Sequence, residues 1–251
     1  MSKADEYINN LEYELALEEL QQAITTDPNS PEGYFQRGMV YLDIYKFDEA
    51  IADFTQVITL DNSIARAYSN LGIAHALNEN FDQAFIEFEK ALDIDPEDPQ
   101  IYVNRGITYV VNDQGGYALA DFDKAIELDP ENVAAYHYRG TLHTRRGENE
   151  PAIADLNQAL ALDPENPELY LARGNYYASV NESEKAIEDF SKAIAIFPNF
   201  IEAYILRAST YANMKDDENA VSDFRKALDM VGSGELQDLI IESLKDLNAY
   251  P

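Results

Sequence analysis

Residues 99–132 read PQIYVNRGITYVVNDQGGYALADFDKAIELDPEN, and residues 133–166 read VAAYHYRGTLHTRRGENEPAIADLNQALALDPEN. Laid over one another, the two stretches match Tyr102 with Tyr136, Arg105 and Gly106 with Arg139 and Gly140, Ala118 with Ala152, and the closing Asp129 and Pro130 with Asp163 and Pro164. Outward from this pair the alanine recurs as Ala16, Ala50, Ala84, Ala118, Ala152, Ala186 and Ala220, always 34 residues apart. A strict period of that length marks one supersecondary unit copied along a solenoid.

Other columns keep the same step. Tyr34, Tyr68, Tyr102, Tyr136, Tyr170 and Tyr204 stand four residues before Gly38, Gly72, Gly106, Gly140, Gly174 and, in the last copy, Ala208. Tyr41, His75, Tyr109, His143, Tyr177 and Tyr211 follow three residues later. Four residues after each alanine come Leu20, Phe54, Phe88, Phe122, Leu156, Phe190 and Phe224. Spacings of three and four place each set on one face of a helix. The glycines and alanines let two backbones approach, with the rings filling the space beside them. The Asp-Pro step ends the second helix, because proline disfavours helix at the residue before it. Two antiparallel helices per copy follow.

The pattern Y-x-x-R-G-x-x-Y, A-I-x-D-F-x-x-A-I, L-D-P resembles the tetratricopeptide (TPR) repeat. The resemblance covers residues 1–234 as seven copies, about 1–30, 31–64, 65–98, 99–132, 133–166, 167–200 and 201–234. The first copy is short, with Ala4 and Tyr7 as its first-helix anchors. The expected fold is all-α: a right-handed superhelical α-solenoid of seven antiparallel helix pairs, closed by a C-terminal capping helix within 235–251. Leu236, Leu239, Ile240, Leu244 and Leu247 form the apolar stripe of that cap.

The 251 residues include no cysteine, which removes disulfide frameworks and thiolate metal sites. There are 47 acidic against 18 basic residues, a net charge of -29, so nucleic acid and anionic membranes would repel the chain. MSKADEYINN lacks the basic start and apolar run of a signal peptide, and no stretch is long and apolar enough to insert in a membrane. The expectation is a cytoplasmic protein.

Several columns imitate chemistry. Arg37, Arg105, Arg139, Arg173 and Arg207 share one column and could suggest phosphate binding. Acids recur in the second helix as Asp53, Glu87, Asp121, Asp155, Asp189 and Asp223, so the arginines are expected to pair with them, within a copy or between neighbours. The third copy has Leu71 in the arginine column. His75 and His143 replace a core tyrosine and read as half-buried structural residues. Gly115 and Gly116 read as a frayed turn. No catalytic constellation, metal-ligand spacing or phosphate loop emerges, and no cofactor or enzymatic activity is expected.

A ligand is expected opposite the core face of the first helices. Phe35, Met39 and Leu42 in copy two, Ile73 and Leu77 in copy three, and Val103, Ile107 and Val111 in copy four make those helices apolar on two sides. Copies five and six turn polar, with His137, Tyr138, Thr141 and Arg145, then Leu171 and Asn175. In the TPR family the first helices line a concave groove, so the resemblance places these residues in one. The function expected is a non-enzymatic scaffold or adaptor binding a peptide or amphipathic helix of a protein partner, possibly a basic one. The lysine-rich clamp by which some TPR co-chaperones hold acidic tails is not expected, since its lysine columns hold none here. A self-assembling structural protein, or a regulatory or assembly subunit of a partner enzyme, stands as the alternative. Oligomeric state is left open.

Overall fold

A computed structural model describes residues 3–249. The described residues form fifteen helices and no strand. They divide into two compact units, residues 1–130 and 131–251. The first unit holds α1 (Lys3–Asn9), α2 (Tyr13–Thr26), α3 (Pro31–Asp43), α4 (Phe47–Leu60), α5 (Ala65–Leu77), α6 (Phe81–Ile94), α7 (Pro99–Val111) and α8 (Gly115–Leu128). The second holds α9 (Val133–Arg145), α10 (Asn149–Leu162), α11 (Pro167–Ser179), α12 (Ser183–Ile196), α13 (Ile201–Asn213), α14 (Asp217–Met230) and α15 (Glu235–Asp246). From α3 to α14, first helices of 13 residues alternate with second helices of 14. Within each unit, every helix pairs with its hairpin partner and successive hairpins pack in chain order.

The core follows from the small columns. All seven alanines are fully buried, together with Phe54, Phe88, Phe122, Leu156 and Phe190. Glycine is needed where helix meets ring: a Cβ on Gly106 would stand 2.6 Å from Phe122 Cε1, and one on Gly174 2.6 Å from Phe190 Cε1. Within each hairpin the turn passes through one left-handed residue: Leu11, Tyr45, Glu79, Asp113, Gly147, Asn181 and Lys215, again 34 apart, with φ between 54° and 71°. The next backbone N–H then donates to the carbonyl of the second aromatic column, as from Lys46 to Tyr41, Asn80 to His75 and Gln114 to Tyr109, each at 2.8 Å. These bonds satisfy carbonyls the helix end would otherwise leave open.

Gly115 and Gly116 open α8 rather than fraying a turn, and α8 is as long as its counterparts. Two residues into that helix Tyr117 lies 5.3 Å from the Tyr109 ring, which stacks on Phe85 at 4.3 Å. On α15 the apolar stripe is narrower than expected. Ile240 and Leu244 are buried against Ala208, Phe224 and Ala227, with Leu247 beside them. Leu236 and Leu239 stay 42% and 59% exposed.

The arginine column pairs within its own copy. Arg37, Arg105, Arg139, Arg173 and Arg207 each donate from Nε and Nη2 to the two oxygens of the aspartate sixteen residues on, at 2.6–2.8 Å. The hydrogen bond each donates to its aspartate raises the pKa of Arg37, Arg173 and Arg207 above the ordinary value, against the opposing effect of burial. The remaining nitrogen of three of them reaches sixteen residues back, into the second helix of the preceding copy. Nη1 donates to Gln21 from Arg37 (2.5 Å), to Asn157 from Arg173 (2.8 Å) and to Ser191 from Arg207 (2.8 Å). Where Leu71 replaces arginine, buried Glu87 takes Lys90 on both oxygens at 3.0 Å and Gln83 as a further donor. The row is thus spent inside the fold.

Candidate partner-binding surface

In the first unit, α5 and α7 lie against one another. Ile73, Ala76 and Leu77 from α5 and Asn104, Ile107, Thr108 and Val111 from α7 line a pocket of about 160 Å³. The spacing of three and four that builds a core face on one side of each helix repeats on the other side, so both helices carry two apolar stripes. Leu77 is 49% and Val111 67% exposed. The pocket thus brings four of the sequence-chosen residues together: Ile73, Leu77, Ile107 and Val111. Met39 on α3 is also exposed. Phe35 and Leu42 are half-buried, packed on Ala50, Phe54, Leu71 and Ala74, with Phe35 edge-on to Phe54 at 5.6 Å. The Arg66 guanidinium covers the Phe35 ring at 4.5 Å.

Two expected contact residues are corrected. Val103 is 1% exposed, and Leu171 is 8% exposed within a cluster of Ala186, Phe190, Ala193 and Ala203. Their column points into the packing between successive helices. Ser69, its member in α5, is buried and receives a hydrogen bond from Asn104 Nδ2 at 3.1 Å. Neither side chain can meet a ligand from there.

Ala76, Asn104 and Thr108 line the pocket although the sequence did not single them out. Asn104 stands in a column of amides, Gln36, Asn70 and Asn104, which was the signal available. Thr108 gave none, since its hydroxyl is donated to the Asn104 carbonyl at 3.0 Å as an ordinary helical back-bond.

In the second unit α9 presents His137, Tyr138, Thr141 and Arg145. The rings of His137 and Tyr138 stack at 5.0 Å. Burial holds the His137 pKa below its ordinary value, against the opposing pull of Glu168 on α11. Thr141 Oγ1 is shielded from solvent without a hydrogen-bond partner among the described residues. Asn175 on α11 is half-buried, and Arg145 is exposed. His75 and His143 are half-buried as expected, His143 Nδ1 lying 2.5 Å from Glu148. Among the described residues, no group of three or more acids and histidines could hold a metal ion. No described helix is long and apolar enough to cross a membrane.

Helical hairpins of near-constant length, packed in chain order within each unit around small-residue contacts, define a helical-repeat protein of the α-solenoid class. A family model described as the ETO1 C-terminal domain matches residues 30–215, a TPR repeat model residues 4–44, and a tetratricopeptide repeat model residues 201–230. The chain belongs to the tetratricopeptide repeat family. Among solved structures, a tetratricopeptide repeat protein from Parabacteroides merdae is 22% identical with a TM-score of 0.72, over 98% of this chain and 96% of that one. The MamA protein is 30% identical with a TM-score of 0.56, over 67% of this chain and 92% of that one. YrrB, described as a TPR protein with an unusual peptide-binding site, is 26% identical with a TM-score of 0.50, over 73% and 95%. No curated protein shows a significant sequence match.

Proposed function

We propose that this chain is a non-enzymatic scaffold or adaptor that holds a peptide or amphipathic helix of a partner protein in a concave groove lined by the faces of its first helices turned from the core. The pocket of Ile73, Ala76, Leu77, Ile107 and Val111 carries this reading. Its side chains remain open to solvent on helices whose opposite faces already build the core, and an apolar recess of that kind seats one or two side chains of an amphipathic ligand. The peptide-binding site named for YrrB supports the same use of the fold. Met39 extends the apolar surface on α3, while His137, Tyr138, Thr141, Arg145 and Asn175 offer polar contacts in the second unit. The charge of -29 disfavours nucleic acid, speeds encounter with basic partners and suits an aqueous cytoplasmic setting.

The test is affinity capture with the intact chain beside Ile107→Glu and Met39→Glu variants, both at positions where a carboxylate can reach water without unfolding the helix. Stoichiometric partners retained by the wild type should be lost from Ile107→Glu. Equal retention by both variants, at unchanged melting temperature, would remove the apolar surface as the binding site.

A further inference from the structure

At the α1–α2 and α3–α4 turns of the first unit, apolar side chains stand in water where the hairpin does not require them. Leu11 is 70%, Leu15 43% and Tyr45 81% exposed. Leu11 and Tyr45 hold the left-handed turn position at φ 60°, a conformation in which a bulky side chain is strained. The later members of that column are Glu79, Asp113, Gly147, Asn181 and Lys215, all polar or glycine. Leu15 likewise gives way to Glu49 and Gln83 in the next two copies. The first two copies thus carry both strain and apolar exposure at their turns without adding to the core.

Leu11, Leu15 and Ile44 line a recess of about 600 Å³ together with Glu12, Glu14 and Lys46. It shares no residue with the α5–α7 pocket. Tyr45 stands between Ile44 and Lys46, its ring edge-on to Phe47 at 6.2 Å. Glu12, Glu14 and Lys46 make no ion pair among the described residues. Glu12 and Lys46 occupy the same column, just before α2 and α4, and neither side chain caps its helix. Two successive turns of like geometry therefore bring opposite, unpaired charges to one apolar recess.

We propose that this turn edge is a contact between two copies of the chain related by a two-fold axis. Leu11, Leu15, Ile44 and Tyr45 of each copy pack on those of the other, and Lys46 of each copy pairs with Glu12 and Glu14 of the other. A two-fold contact uses one patch twice, so the patch must carry both members of every charge pair. This one does. Over the rest of its surface the chain bears a large excess of the 29 net negative charges, and two such surfaces repel unless cation meets anion where they touch. A basic partner would instead meet Lys46 with like charge at the rim of the recess. A recess of this size makes a small interface, so the association belongs to the weak, micromolar range.

The experiment is sedimentation velocity on the full chain from about 1 µM to about 200 µM, in about 150 mM NaCl, where a screening length of about 8 Å limits repulsion between the acidic bodies. Wild type should pass from monomer to dimer across that range. Leu11→Asn and Tyr45→Ser should each weaken the dimer about tenfold, one apolar side chain being lost from the contact on each copy. Leu11→Asn should melt no lower than wild type, because asparagine tolerates the left-handed turn, and this separates the effect from misfolding. Lys46→Glu, and the double variant Glu12→Lys with Glu14→Lys, should each be monomeric, whereas an equimolar mixture of the two should dimerise, since lysine then faces glutamate again on both sides of the axis. Ile107→Glu should associate as wild type does. A wild type that stays monomeric, or a dimer indifferent to Leu11→Asn and Tyr45→Ser, overturns the contact. A mixture that stays monomeric overturns the two-fold pairing, and growth beyond the dimer overturns its closure. A dimer lost with Ile107→Glu places the contact on the first helices and overturns this one, while the partner-binding reading keeps its own capture test.

Discussion

A buried carboxylate is tolerable only while its cation stays, and this chain repeats that arrangement five times. The Asp121 carboxyl is nearly inaccessible and takes two bonds from Arg105. Asp121→Ala should therefore lower stability by about 3 kcal/mol, read from the urea midpoint, because it leaves a guanidinium desolvated without its partner. Replacing both Arg105 and Asp121 by leucine should cost less than that single change; the chain already places Leu71 in the same column. The two columns were legible in the sequence, and so was their structural role. Which aspartate each arginine takes was not, since helical periodicity orders residues within an element and is silent on partners across elements. His137 makes a second prediction. Its folded pKa lies below the ordinary 6.5, so in that region the unfolded chain binds more protons. Stability present above about pH 6.5 is lost as pH falls toward the folded value. The drop in melting temperature between about pH 7 and about pH 5 should be smaller in His137→Gln than in wild type, while His75, shifted in the same sense by burial, keeps the variant's response from vanishing.

At the scale of the element, the left-handed turn residue is the most regular feature that the sequence hides. Leu, Tyr, Glu, Asp, Gly, Asn and Lys occupy that column, so no residue type announces it. The geometry is imposed by the hairpin, whose bond to the second aromatic's carbonyl needs φ > 0 at that place. A residue with a Cβ there is strained by roughly 1 kcal/mol, and glycine removes most of the strain. Glu79→Gly should raise the urea midpoint by the equivalent of about 0.5–1 kcal/mol; an unchanged or lower midpoint would show that the turn is not strained. The helix pairs themselves were legible, since alanine, glycine and ring columns fix which faces meet. The candidate surface was legible only in part. Ile73, Leu77, Ile107 and Val111 converge on one pocket, whereas Val103 and Leu171 turn inward. An apolar residue opposite the core face reads the same in sequence whether it meets solvent or the next first helix, and only packing separates the two.

For the molecule as a whole, charge is the dominant fact that no single contact reports. An excess of 29 negative charges destabilises any compact state by self-repulsion. Raising NaCl from about 10 mM to about 100 mM shortens the screening length from about 30 Å to about 10 Å, and should raise the melting temperature. A fall would mean that the ion pairs outweigh the repulsion. Those pairs are too buried to be screened strongly, so the rise is the expected sign. The backward reach of the arginines has one more consequence. Arg207 binds Ser191, and Arg173 binds Asn157, each sixteen residues upstream. Excision of residues 167–200 would carry Asn157 into the place of Ser191, and Arg207 would find an amide acceptor at the same offset with Asp223 still ahead of it. Genetic recombination between copies joined in this way can therefore lengthen or shorten the chain in whole steps without leaving a severed bond at the junction, so its length can drift over generations.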